Sequence, residues 1–167
     1  MHTTNHLTNL MIGQWLYNLT KAWDVGRLDL LRSELVLAIE EGVATEEQTL
    51  EAPGDYDEGR LWCMPDSLVY SRTGADGLLW MPGMAILDVP AFLQGGQRKA
   101  TLVTLQGGAY VALRYSALWS LSEKHAAFNR LLGEWMQQAL ELEKRRMQRR
   151  RLALDGDLDT LLWENER

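Results

Sequence analysis

From Leu7 to Trp23 apolar residues recur at Leu7, Leu10, Met11, Trp15, Leu19, Ala22 and Trp23, the three-and-four spacing that lays a single stripe along an α-helix. The pattern predicts an amphipathic helix. Between Asp24 and Glu41 the residues Leu28, Leu31, Leu35 and Ile39 keep a similar period, which predicts a second helix with Gly42 as its stop. The texture then changes. Short β-prone runs at Val43–Leu50, Arg60–Met64, Ser67–Arg72, Leu78–Met81 and Ala100–Tyr115 alternate with turn-forming residues. The turns fall at Ala52-Pro53-Gly54-Asp55, Pro65-Asp66, Thr73 to Gly77, Pro82-Gly83 and Gly95-Gly96, and many short strands joined this way predict a β-barrel or roll. Inside the last run Gly107-Gly108 separates two β-prone halves, which predicts a tight hairpin turned by glycines at positive φ. Leu102 and Thr104 share one face of its first strand, Val103 and Leu105 the other, so the hairpin is expected to be covered on both sides for part of its length.

After Tyr115 the helical period returns. Phe128, Leu131, Leu132, Trp135, Ala139 and Leu142 form a seam close to heptad spacing, and Ser120 with Glu123 has the form of a capping box at its start. A helix of about four to seven turns is predicted. The seam is too apolar to leave in water unless the roll covers it, so those six residues are the expected interface of a homodimer. Asp155-Gly156-Asp157 predicts a break, followed by a short helix from Leu158 to Trp163. The chain divides accordingly into an N-terminal helical segment over 1–42, a β-roll over 43–115 and C-terminal helices over 116–167.

A length of 167 residues fits one domain with helical extensions, and 46% hydrophobic with 24% charged residues places the chain among globular rather than disordered proteins. No apolar run approaches the roughly 18 residues that a membrane span needs. The N-terminus lacks the basic start and apolar stretch of a signal peptide, so a cytoplasmic location is expected. Cys63 is the single cysteine and lies in the apolar run Leu61 to Met64, where a thiol behaves as a small hydrophobe.

The net charge of −6 argues against a generally nucleic-acid-binding surface, yet six of the 17 basic residues fall between Lys144 and Arg151. That run reads as a phosphate-binding patch or as a solvated helix end whose cations complement the macrodipole. Glu141, one turn before Arg145, favours the second. His2, His6 and His125 form no ligand set, and no histidine falls between Val43 and Tyr115, so a metal-dependent barrel enzyme is not expected. Asp155 to Asp159 lacks the glycine and glutamate positions of a calcium loop and is expected to end one helix and cap the next through Asp157 or Asp159. No motif sets a base beside Cys63 or any serine. No catalytic residue, metal site or cofactor is therefore predicted, and the seven tryptophans are expected in the core or at a dimer contact.

The order of elements, helices then a roll then a short and a long helix, together with several motifs, resembles the catabolite-activator and FNR class (Crp-Fnr) of transcription regulators. Ala52-Pro53-Gly54-Asp55 resembles the Pro-Gly-acid turn early in their roll, and the runs from Arg60 and from Ser67 resemble the two strands that follow. Pro82 to Leu87, continuing through Gly95 to Val103, resembles the family's phosphate-binding cassette, which reads Gly-Glu, then small and apolar residues, then Arg-x-Ala-Thr or Arg-x-Ala-Ser. Leu118 to Arg151 is similar to the short helix and the long dimerisation helix behind it. The resemblance covers roughly residues 30–167.

What it implies is an α+β, cyclic-nucleotide-binding-like double-stranded β-helix (jelly roll) with N-terminal helices and a long C-terminal dimerisation helix. The implied ligand contacts are Gly83, Met84, Ala85, Arg98, Lys99, Ala100 and Thr101. Met84 stands where the cassette carries the glutamate that binds a ribose hydroxyl, and a thioether cannot replace it. Arg98 stands where the phosphate-binding arginine belongs, and reads either as an anion contact inside the roll or as an ordinary loop arginine. The helix-turn-helix that follows in these regulators has no counterpart before Arg167, so sequence-specific DNA binding by this chain alone is not expected. The implied function is a regulatory sensor module for a small anionic ligand or a protein partner rather than for cyclic AMP. The alternative is a structural interaction protein with an empty roll that dimerises and binds a partner.

Overall fold

The computed structural model describes residues 6–55, 57–74, 76–95 and 98–165, with side chains described up to 149 and at 151. Two helices, α1 (His6–Tyr17) and α2 (Val25–Ala38), open the chain. Eight strands follow: β1 (Glu40–Ala44), β2 (Thr49–Glu51), β3 (Arg60–Cys63), β4 (Leu68–Thr73), β5 (Asp76–Trp80), β6 (Ala85–Ile86), β7 (Thr101–Gln106) and β8 (Gly108–Arg114). A one-and-a-half-turn helix, α3 (Val89–Gln94), sits between β6 and β7, and α4 (Tyr115–Lys124) and α5 (Ala126–Asn165) close the chain.

The strands form two four-stranded sheets in the orders β1-β8-β3-β6 and β2-β7-β4-β5, antiparallel throughout. Consecutive strands repeatedly cross from one sheet to the other: β1 to β2, β3 to β4, β5 to β6 and β7 to β8. That is the double-stranded β-helix, or jelly roll. Its crossing corrects the expected hairpin at Gly107-Gly108, since β7 pairs with β2 and β4 whereas β8 pairs with β1 and β3. Neither glycine has positive φ. Gly107 is needed for proximity instead, because a Cβ there would lie 2.3 Å from the carbonyl oxygen of Ala44 where the two ribbons change sheets. Thr104 pins the same corner from inside: fully buried, its hydroxyl donates to Thr45 O at 2.5 Å and accepts from Gln48 N at 2.9 Å.

Gly42 lies inside β1 rather than stopping a helix; α2 ends at Ala38. The low β-propensity of Glu40-Glu41-Gly42 is overridden by pairing with β8, whose Tyr110 ring lies over Gly42 where a Cβ would come within 2.5 Å of its hydroxyl. β1 also holds α1 in place. The Glu41 carboxylate accepts from the backbone N–H groups of Leu7 and Thr8 at 3.2 and 3.3 Å and from the Thr8 hydroxyl at 2.6 Å, filling the helix N-terminus with negative charge. Asp24 caps α2 by accepting from Arg27 N.

The core runs continuously from α1 and α2 through the roll to α5. Phe128, Leu131, Leu132, Trp135 and Ala139 are all buried in it, and Leu142 packs against its edge. The seam expected to face a second copy is thus buried within the chain, where α5 packs against α4, β6 and α3 and the Trp135 ring sits edge-on to Trp15 of α1 at 4.9 Å and to Phe128 at 6.0 Å. Heptad-like spacing does not distinguish a partner helix from an intrachain one. Ser120 and Glu123 fall within α4 and cap nothing; the break comes at His125, whose extended backbone separates α4 from α5. There the His125 ring meets the Glu34 carboxylate of α2 at 2.6 Å. The break expected at Asp155-Gly156-Asp157 is absent, and α5 runs unbroken for 40 residues.

Because Trp135 is buried within one chain, Trp135→Ala is expected to lower the unfolding free energy in urea by about 3–5 kcal/mol. Trp135→Glu is expected to abolish cooperative unfolding. Recovery of a well-folded, stable monomer from Trp135→Glu would instead assign the seam to a contact between copies.

Candidate functional site: a cavity between the roll and the long helix

The segment after β6 begins Asp88-Val89-Pro90 and ends Gln94-Gly95. Asp88 is the N-cap of α3, accepting from Ala91 N at 3.2 Å; proline occupies its first turn; Gly95 ends it in the left-handed region at φ 60°. These are the ordinary signals for starting and stopping a helix. They are present in the sequence, in a stretch to which the strand pattern assigns no element. Beneath α3 lies a cavity of about 740 Å³. Apolar side chains such as Trp80, Ile86, Val89 and Leu102 make most of its wall, Glu51, Asp88 and Arg98 reach it from the roll, and Ala139, Leu140 and Glu143 of α5 close another side.

Of the residues that the sequence implied as ligand contacts, Arg98, Lys99 and Ala100 line this cavity. Gly83, Met84, Ala85 and Thr101 do not. Gly83 forms a positive-φ turn whose N–H donates to Met64 O, Met84 packs half-buried against the core, Ala85 is buried in β6, and Thr101 opens β7 opposite Arg72. The carboxylate that does line the cavity near this segment is Asp88, four residues after Met84.

Arg98 is buried, at 9% exposure. Its guanidinium donates to Asp55 Oδ2 at 2.8 Å and to the carbonyl oxygen of Asp57, and its Nε lies 4.0 Å from Glu51 Oε1. The same Asp55 oxygen accepts from Ala52 N at 2.8 Å, which ties the Pro53-Gly54 turn to the arginine. Glu51, only 3% exposed, accepts from Arg60 N at 2.7 Å. Burial pushes its carboxyl above the usual range and Asp88 adds to this, while the Arg60 N–H and Arg98 oppose it. The Trp62 indole N–H lies near enough to favour the carboxylate but completes no hydrogen bond. Tyr115 is raised as well, by burial first and then by Glu51 and Asp88. The hydroxyl of Tyr115 and the indole N–H of Trp80 are buried without partners. Cys63 is buried and pushed up to about 12 by desolvation, which makes it a packing group rather than a reactive thiol.

The basic run on α5 is partly answered within the helix. Arg145 pairs with Glu141 at 3.8 Å, as its spacing predicts, and Arg146 pairs with Glu143 at 3.0 Å and with Asp76 at 3.5 Å. No cluster of metal-ligating side chains occurs among the described residues, and none of their helices is long and apolar enough to cross a membrane.

No protein-family model matches the chain, and no curated protein matches it. Solved structures do. A cyclic nucleotide-binding domain from Methylobacillus flagellatus aligns with a TM-score of 0.60 at 17% identity, over 78% of this chain and 74% of that one. A putative cyclic nucleotide-binding protein from Geobacter metallireducens gives 0.57 at 13%, over 76% and 92%. The catabolite activator protein of Thermus thermophilus gives 0.51 at 18%, over 80% of this chain and 60% of its own length. The chain has the cyclic nucleotide-binding-domain fold, in the form shared by catabolite activators and by single-domain proteins. At these identities the likeness is one of fold.

The Glu51 carboxyl yields a pH test. Because its folded value is raised, its proton contributes stability that is fully present below the unfolded value, near about pH 4.3, and is lost as the pH rises through the folded value. Glu51→Gln has no such proton and keeps an oxygen for Arg60 N. Urea unfolding of both chains between about pH 4 and about pH 8 is expected to show the variant gaining on the parent as pH rises. A difference independent of pH would contradict the buried, proton-retaining state of Glu51.

Proposed function

We propose that this chain is a regulatory ligand-binding module: it takes a small molecule into the cavity of the roll and passes occupancy to α5. The observation that carries this reading is that one cavity is walled jointly by the cassette around α3 and by Ala139, Leu140 and Glu143 of the long helix. A ligand that prefers one placement of α5 shifts the helix by no more than its difference in affinity for the two placements. The fold neighbours support a regulatory reading, since one of them is an activator protein.

The ligand is not a cyclic nucleotide. Binding a cyclic phosphate requires an available guanidinium and unneutralised helix N–H groups. Here Arg98 is bonded to Asp55 and the Asp57 carbonyl, and Asp88 occupies the N-terminus of α3. A phosphate entering would face Glu51 and Asp88 and would have to draw the buried Arg98 guanidinium away from Asp55 and the Asp57 carbonyl.

Calorimetry of the full chain with cyclic AMP and cyclic GMP is therefore expected to give dissociation constants above about 100 μM. A value below about 1 μM for either would overturn the exclusion. Hydrogen exchange across residues 136–147 tests the coupling: a compound that raises the melting temperature is expected to alter exchange there, and stabilisation with exchange unchanged would remove α5 from the mechanism.

A further inference from the structure

We propose that the cavity selects a protonated amine carried on an apolar body, an inference that rests on the ligand-binding reading above and specifies its chemistry. Two acidic side chains, Asp55 and Glu51, face the one guanidinium of Arg98, and Asp88 lines the same cavity. The guanidinium's closest charged partner is Asp55, at 2.8 Å, whereas Glu51 lies at 4.0 Å. Glu51 and Asp88 both line the cavity. Burial is what chiefly raises the Glu51 carboxyl and the Tyr115 hydroxyl; Asp88 adds a smaller push to the first, and both acids add to the second. From the α5 side the cavity adds another carboxylate, Glu143, which pairs outward with Arg146. Against these stands Lys99, an exposed cation of the lining.

The acidic groups at the buried end, Glu51 and Asp88, outnumber the one guanidinium there, and that guanidinium is committed to Asp55 and the Asp57 carbonyl. An ammonium placed between Glu51 and Asp88 relieves their repulsion and gains two charge-assisted hydrogen bonds. The rest of the wall asks for an apolar body. Trp80, Ile86, Val89, Leu102 and Leu140 surround the volume, and an indole ring adds favourable contact with an organic cation. An anionic ligand of the same shape meets the reverse: Glu51 and Asp88 face it, and Arg98 is already bonded to Asp55 and the Asp57 carbonyl.

Three probes of one shape separate charge from fit: 3-phenylpropylamine, 3-phenylpropan-1-ol and 3-phenylpropionate, each titrated to about 10 mM against the full chain by calorimetry and by melting temperature. The amine is expected to bind at least about tenfold more tightly than the alcohol, and the acid more weakly than either. Asp88→Asn keeps the helix cap, since asparagine caps as well as aspartate, and is expected to cut the amine's advantage severalfold while leaving the alcohol unchanged. The comparison of the three probes on the parent chain stands whether or not that variant folds. Alcohol and amine binding equally, or the acid binding best, would overturn the amine inference while leaving the ligand-binding reading intact. Failure of all three to bind would overturn both.

Discussion

The Arg98 guanidinium is buried where three parts of the chain meet, and its charge is answered from within. Asp55 closes the Pro53-Gly54 turn and holds the guanidinium at 2.8 Å, the Asp57 carbonyl holds another nitrogen, and Glu51 of β2 stands behind. A buried cation is tolerated only when so paired, and removing one partner from such a group typically costs about 3–5 kcal/mol. The turn after β2, the strand itself and the entry to β7 are consequently held in one arrangement. The cavity above them inherits the surplus of negative charge that this pairing leaves.

The sequence revealed the architecture well where local pattern and tertiary need agree. Short β-prone runs punctuated by glycine and proline correspond to β3, β4, β5, β7 and β8 within a residue or two at most ends. It misled where a tertiary contact decides the outcome. Glu40 to Gly42 has no strand preference of its own and becomes β1 only because β8 supplies the hydrogen bonds. Gly107-Gly108 carries a turn composition, yet the glycine is there to let backbones pass at a sheet crossing, a requirement that no one-dimensional pattern expresses.

The site was legible in outline only. Arg98, Lys99 and Ala100 fall in the cavity, as the Arg-x-Ala-Thr resemblance implies. The cassette resemblance sets Met84 where the glutamate would stand and so predicts no carboxylate there, whereas Asp88, at the start of α3, lines the cavity. Glu51 was missed altogether. A lone glutamate at the end of a short strand carries no signal until burial and its distance to Arg98 are known.

The two halves of α5 are held by different forces. Its first half buries Phe128, Leu131, Leu132, Trp135 and Ala139, and an aromatic side chain alone removes about 150–250 Å² from water, worth about 4–6 kcal/mol at 25 cal/mol per Å². That half cannot shift without unpacking from α4, β6 and α3. From Leu140 onward the exposed side includes Leu140 and Met147, half in solvent, and the helix meets the β4–β5 hairpin through the partly exposed Arg146–Asp76 pair, a class of contact typically worth less than about 1 kcal/mol. The cavity touches α5 at Ala139, Leu140 and Glu143, on the boundary between the firmly packed half and the weakly tethered one. A ligand there would touch α5 where its packing into the core ends. The packing that buries Trp135 within the chain also fixes the first half of α5 against the body of the roll.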